Sequence, residues 1–170
     1  MTVLKRVVGV VLFMLVLTSA NAQVEKFQSL FIYNFSRYIK WPDDMSSGQF
    51  VIGVLGNSSV YDHLKEMADT KKKTQNMDIV VKRYNSVNEV ENCHILFVSS
   101  NFSSQVGSVS SSPKTSSTLI VTDKPGLAKR GATINFIEDS GKIKFELNQS
   151  EADQRGLKVA GSLSALSVPV

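Results

Sequence analysis

Phe50-Val51-Ile52-Gly53-Val54-Leu55 runs without a polar side chain, and this stretch limits the fold more than any other. It has the length of a strand, and a strand that is apolar on both sides must be covered on both sides. Met77 to Tyr84, Cys93 to Val98 and Thr118 to Thr122 read as further strands. Between them the apolar spacing turns helical. Val60, Leu64 and Met67 follow the first strand, in a helix expected over about Val60 to Ala68, and Phe102, Val106 and Val109 follow the third. Gly56-Asn57-Ser58-Ser59 forms a turn with capping residues, Lys71 to Asn76 a polar connection, and Val87 to Asn92 and Gly126 to Arg130 short turns. Strands that alternate with helices imply parallel pairing through crossovers.

The last third has a different pattern. Thr133 to Ile137 and Lys142 to Asn148 flank Glu138-Asp139-Ser140-Gly141 as a hairpin, with Ile143, Phe145 and Leu147 alternating against Lys142, Lys144, Glu146 and Asn148. Ser150-Glu151-Ala152-Asp153 opens a helix with an N-cap and early acids. Val159, Leu163, Leu166 and Val170 suggest a final helical face that frays at Pro169. No internal repeat or linker divides the chain. The expectation is one α/β domain, a mostly parallel central sheet flanked by helices, with a C-terminal antiparallel hairpin.

Ahead of the first strand, Val24 to Lys40 reads as an amphipathic helix ended by Pro42. At about 100° per residue, Val24, Phe27, Leu30, Phe31, Phe35 and Tyr38 share one arc, opposite Glu25, Lys26, Ser29, Ser36, Arg37 and Lys40. This apolar arc is taken as the core side. Asn34 interrupts it, and Tyr33 stands among the polar residues. An amide there either ties the helix to neighbouring backbone or sits at a seam with a second subunit.

The first 22 residues read as an address. Lys5 and Arg6 precede an apolar run from Val7 to Leu17, too short to cross a hydrocarbon core as a helix, and Ala20-Asn21-Ala22 supplies the small residues a signal peptidase needs. No Cys follows the cleavage site, so no lipid anchor is expected. Cleavage leaves residues 23–170 as the domain, periplasmic and without an integral membrane segment. Export also removes cytoplasmic nucleic acid and ATP from the expected partners.

Reactive chemistry is sparse. The only imidazoles are His63 and His94, neither with metal-ligand spacing. Cys93 is the only cysteine, so an intramolecular disulfide is excluded. A Cys93–His94 dyad is opposed by strand geometry, which points neighbours to opposite faces. Gly53 and Gly56 are read as tight-turn glycines, with an anion site at the following helix N-terminus as the sharper alternative. Lys71 to Lys73 with Lys82 and Arg83 form a basic patch that lacks the aromatics single-strand binding needs. Nothing here calls for a cofactor or a resident metal. With a net charge of +4 in 170 residues, general polyanion binding has little support either.

The remaining signal is a resemblance. Phe31-Ile32-Tyr33-Asn34-Phe35-Ser36-Arg37-Tyr38-Ile39-Lys40-Trp41-Pro42 resembles the "YNFxxYxxWP" signature that opens the YfiR family. Phe50 to Gly56, Cys93 to Ser99, Gly131-Ala132-Thr133-Ile134-Asn135-Phe136, Lys144-Phe145-Glu146-Leu147-Asn148 and Gly156-Leu157 follow in the family's order. The resemblance implies a non-enzymatic periplasmic regulator. The type member is a dimer that represses a membrane-bound diguanylate cyclase, and loss of repression raises cyclic di-GMP and biofilm formation. The implied partners are therefore an inner-membrane diguanylate cyclase or sensor protein and a second copy of the chain. The alternatives are an accessory of a sensor kinase, or a small-ligand binding protein using the sheet end beside Gly56 to Ser59. Tyr33, Asn34 and Trp41 from the first signature, and Glu146 and Asn148 from the hairpin, are the expected partner contacts. The type member's intramolecular disulfides have no counterpart in a chain whose only thiol is Cys93.

Overall fold

In the computed structural model, which describes residues 23–170, the apolar runs form the middle of one eight-stranded sheet. The Val7 to Leu17 run and the Ala20-Asn21-Ala22 site lie outside the described residues. β2 (Gln49–Leu55) is flanked in parallel by β4 (Met77–Tyr84) and β5 (Ile95–Val98), and β6 (Leu119–Thr122) and β7 (Ile134–Asp139) extend the parallel set. The order β4-β2-β5-β6-β7 is that of a doubly wound sheet, reversing direction between β2 and β5. β8 (Lys142–Leu147) folds back antiparallel on β7 as expected, through a two-residue turn at Ser140-Gly141 with φ of 54° and 74°.

Alternate residues of these strands serve two cores. Phe50, Ile52, Val54, Ile95, Phe97 and Val121 belong to one, Leu55, Leu96, Val98 and Ile120 to the other. α2 (Val60–Lys71) runs toward the β4 edge and buries Val60 and Leu64 in the first core. Later crossovers run the other way and lie in the second, where α3 (Val106–Ser110) places Val106 and Val109. One handedness of crossover with two directions of travel covers both faces. At Gly53 no side chain fits, because an added Cβ would meet the Tyr84 ring at 2.7 Å and Leu96 at 2.9 Å.

α1, residues 23–38, lies on the first face over the hairpin. Its core side is not the arc expected from apolarity. Ile32, Phe35 and Ile39 are buried together with Gln28, Ser29 and Ser36, whereas Val24, Phe27, Leu30 and Tyr38 face solvent. The two arcs differ in direction by about 100° and overlap only at Phe35 and its neighbours. The two serines can be buried here because their hydroxyls turn back on the helix: Ser29 Oγ donates to the Lys26 carbonyl (2.8 Å) and Ser36 Oγ to that of Tyr33 (2.6 Å).

Further differences from expectation are local. The Lys71 to Asn76 connection contains β3 (Lys73–Thr74), paired antiparallel with β4 through a turn at Gln75-Asn76. α4 (Gln149–Gln154) is capped by Asn148 and not from Ser150. The expected last helix is three short pieces. β9 (Lys158–Val159) pairs with β1 (Ile39–Lys40), α5 (Gly161–Ser164) buries Leu163, and β10 (Val168–Pro169) pairs in parallel with β8 at the sheet edge, a position that tolerates proline. No helix among the described residues is long and apolar enough to cross a membrane.

Candidate docking surface

The outward side of α1 carries a row of exposed apolar side chains. Phe27 is 43% exposed, Leu30 46% and Leu166 72%, with Val24, Tyr38 and Val170 also outside the core. Large apolar side chains on one stripe of a helix, beside more on a neighbouring segment, are a poor solvent surface and a good interface. Phe31 marks the boundary. It is half-buried, and its ring lies 6.0 Å from both Phe136 and Phe145, so the stripe is anchored to the core below.

Two apolar hollows flank Phe31 along α1. One, of about 590 Å³, lies between Val24, Phe27 and Leu30 and the hairpin residues Lys142 and Ile143. The other, of about 250 Å³, is lined by Asn34, Tyr38, Phe145, Leu163 and Leu166. Asn34 is half-buried at this second hollow. Among the described residues its amide makes no bond to neighbouring backbone, so the expected tie is absent.

The other expected contact residues fall in different places. Tyr33 is half-buried on another side of α1, beside Arg37, Lys73 and Gln75. Trp41 is 6% exposed and belongs to the core. Its Nε1 donates to the His94 carbonyl (2.9 Å) and its ring meets Phe50 edge-on at 5.0 Å. Glu146 accepts from Asn135 Nδ2 (2.8 Å), and Asn135 Oδ1 accepts from Thr122 (2.7 Å), a chain across three strands. Asn148 Oδ1 accepts from the Glu151 amide (3.1 Å), and its Nδ2 donates to the Ala128 carbonyl (2.8 Å). Trp41, Glu146 and Asn148 are thus structural struts; only Asn34 joins the apolar stripe. Sequence reasoning missed Phe27, Leu30 and Leu166 as surface residues, because an apolar periodicity looks the same whether its partner is the sheet or another chain.

The titratable groups of the core are held inert. Cys93 and His94 lie in opposite cores, so no dyad forms. Burial pushes the Cys93 thiol up to about 12. His94 accepts from the Val51 amide at Nδ1 (3.1 Å), which leaves Nε2 as the donor to the Met45 carbonyl (2.7 Å), and burial lowers its pKa. This ring is neutral, with both nitrogens in use. Gly56 has φ of 94° and its α-carbon faces Ser99 and Phe102, in keeping with the tight-turn reading. The N-terminus of α2 beyond it receives the Glu25 carboxylate through Ser58 and Ser59, which removes the anion site. Much of the basic patch is paired: Lys73 with Asp78, Lys82 with Glu91 (2.8 Å), and Arg83 with Asp62 and over the Tyr61 ring.

Fold and surface together define a class: single-domain, doubly wound α/β proteins in which, among the described residues, one helix leaves an apolar stripe exposed. Within it, this chain belongs to the YfiR/HmsC-like family, whose model matches residues 25–168. That family is regulatory rather than catalytic. The crystal structure of a conserved domain protein from Vibrio cholerae is similar, with a TM-score of 0.54 at 15% identity over 71% of this chain. The chain spans 54% of that protein's length, and the likeness is one of fold. No curated protein matches the sequence.

Proposed function

We propose that this chain is a periplasmic, non-enzymatic regulator that binds and represses a membrane-bound signalling protein of the diguanylate cyclase type, lowering cyclic di-GMP and biofilm formation. Family membership supports the regulatory class, and the observation that carries the mode of action is the solvent-facing stripe of Phe27, Leu30 and Leu166. Such a regulator works by differential binding: it stabilises the partner's inactive state, and its release shifts the population toward the active one.

The test is affinity capture from solubilised membranes with wild type and Leu30→Lys, alongside cyclic di-GMP in a deletion strain carrying each. Wild type is expected to recover an inner-membrane cyclase and restore low cyclic di-GMP, and the variant to do neither. Equal capture by both, or cyclic di-GMP unaffected by deletion, contradicts the proposal. Sedimentation of the two purified proteins separates the contributions, since a mass change without membranes assigns the stripe to a second copy of the chain.

A further inference from the structure

Doubly wound sheets place ligands at the carboxyl ends of their strands, and this edge carries a cluster of oxygens. Ser58 Oγ donates to Glu25 Oε1 (3.4 Å), and the Ser59 hydroxyl donates to the other oxygen of the same carboxylate. Gln28, one turn along α1 from Glu25, is only 5% exposed. Its side chain neighbours the carboxylate of Asp123, the first residue beyond β6. Two oxygens of this cluster, Gln28 Oε1 and Asp123 Oδ1, are buried and unpartnered. Glu25 opposes the charge on Asp123, and exposed Lys124 favours it without forming an ion pair among the described residues.

Buried polar atoms find partners, and orphan oxygens on two neighbouring side chains call for a positive or donating species. The surrounding ligands are two carboxylates, an amide carbonyl and hydroxyls, with neither imidazole nor thiolate. Oxygen-only sets of this kind suit hard divalent cations. Among the described residues no three His, Cys, Asp or Glu side chains are gathered, and here the third ligand is an amide. We propose that Glu25, Gln28 and Asp123 form a binding site for a hard divalent cation, Ca²⁺ or Mg²⁺, at the carboxyl edge of the sheet. The ion gives both orphan oxygens a partner, offsets two neighbouring carboxylates, and pins the first turns of α1 to the end of β6. This site is independent of the docking stripe, which lies on another side of α1.

The experiment is thermal unfolding of the chelator-stripped mature chain (residues 23–170), titrated with CaCl₂ or MgCl₂ at constant ionic strength, for wild type, Asp123→Asn and Glu25→Gln. The site predicts a saturable rise for wild type, about 3–6 °C at tenfold excess over Kd, lost or moved to far higher concentration in both variants. Glu25 lies near the surface, so Glu25→Gln keeps the test sound if Asp123→Asn folds poorly. No saturable rise with either ion, or an equal rise in the variants, overturns the proposal. So does a wild-type melting temperature that ignores both ions yet depends on pH through Asp123, because a proton shared with Gln28 then fills the place.

Discussion

Leu30 and Phe35 lie on the same apolar arc of the sequence, and the structure predicts opposite fates for them on mutation. Phe35 is fully buried, with its ring 5.2 Å from Phe145 and 6.0 Å from Phe136. Truncating it to Ala removes transfer energy and leaves a cavity, about 4 kcal/mol in total. Leu30 is 46% exposed, so only about half of the roughly 2 kcal/mol of a fully buried leucine is at stake. In Leu30→Lys the aliphatic stem keeps part of that contact, which limits the loss to about 1 kcal/mol or less. For a domain of this size 1 kcal/mol moves Tm by about 2–4 °C, so Phe35→Ala is expected to lose roughly 8–16 °C and Leu30→Lys no more than about 4 °C. Trp41 is the only tryptophan and is buried, so urea titration followed by its fluorescence reads both variants without a label. Should Leu30→Lys cost as much as Phe35→Ala, the apolar arc is core after all and the docking surface disappears.

Other variants test the struts and the inert groups. Asn148→Ala removes the α4 cap and the bond to Ala128, and is expected to destabilise by about 2 kcal/mol in urea titration while leaving partner capture intact. Gly53→Ala drives a Cβ into Tyr84 and Leu96, at a cost of about 1–3 kcal/mol by the same assay. His94 has a lowered pKa when folded, so its contribution is present in full above the ordinary value of about 6.5. It is lost as pH falls below that, by up to about 1.4 kcal/mol per pH unit, because the unfolded chain takes up the proton first. Asp123, raised by burial, slopes the other way, so it is the difference between wild type and His94→Gln that isolates the histidine. Cys93, pushed up to about 12 and buried, is expected to resist alkylation at pH 8 until urea unfolds the chain; rapid labelling of the native protein contradicts its assigned place.

How much of this was legible in the sequence follows from where each signal originates. β2, β5 and β6 could be read because strands covered on both faces must be apolar throughout. The β7–β8 hairpin could be read because Ile143, Phe145 and Leu147 alternate against polar neighbours. α1 was recognisable as a helix, yet its core side was misjudged. Ser29 and Ser36 bury cheaply by bonding their own helix, whereas Phe27 and Leu30 stay outside, so apolarity and burial part company there. The segment from Val159 to Val170 looked helical because contact points of separate short elements fell at helical spacing. β3 escaped notice because Gln75-Asn76 makes its turn without a glycine. Within the family signature, Trp41 and Asn148 drew attention as contacts but hold junctions together. The oxygen cluster needed three dimensions, since Glu25, Gln28 and Asp123 come from α1 and the far end of β6.

The claim on which the account rests is that the outward stripe of α1 meets another polypeptide in the cell. A photo-crosslinking amino acid at position 30, compared with one at the exposed position 129 in the turn after β6, measures this directly in living bacteria. The account predicts a discrete protein adduct from position 30 that is absent from position 129. Position 30 crosslinking no more than position 129 does would contradict it.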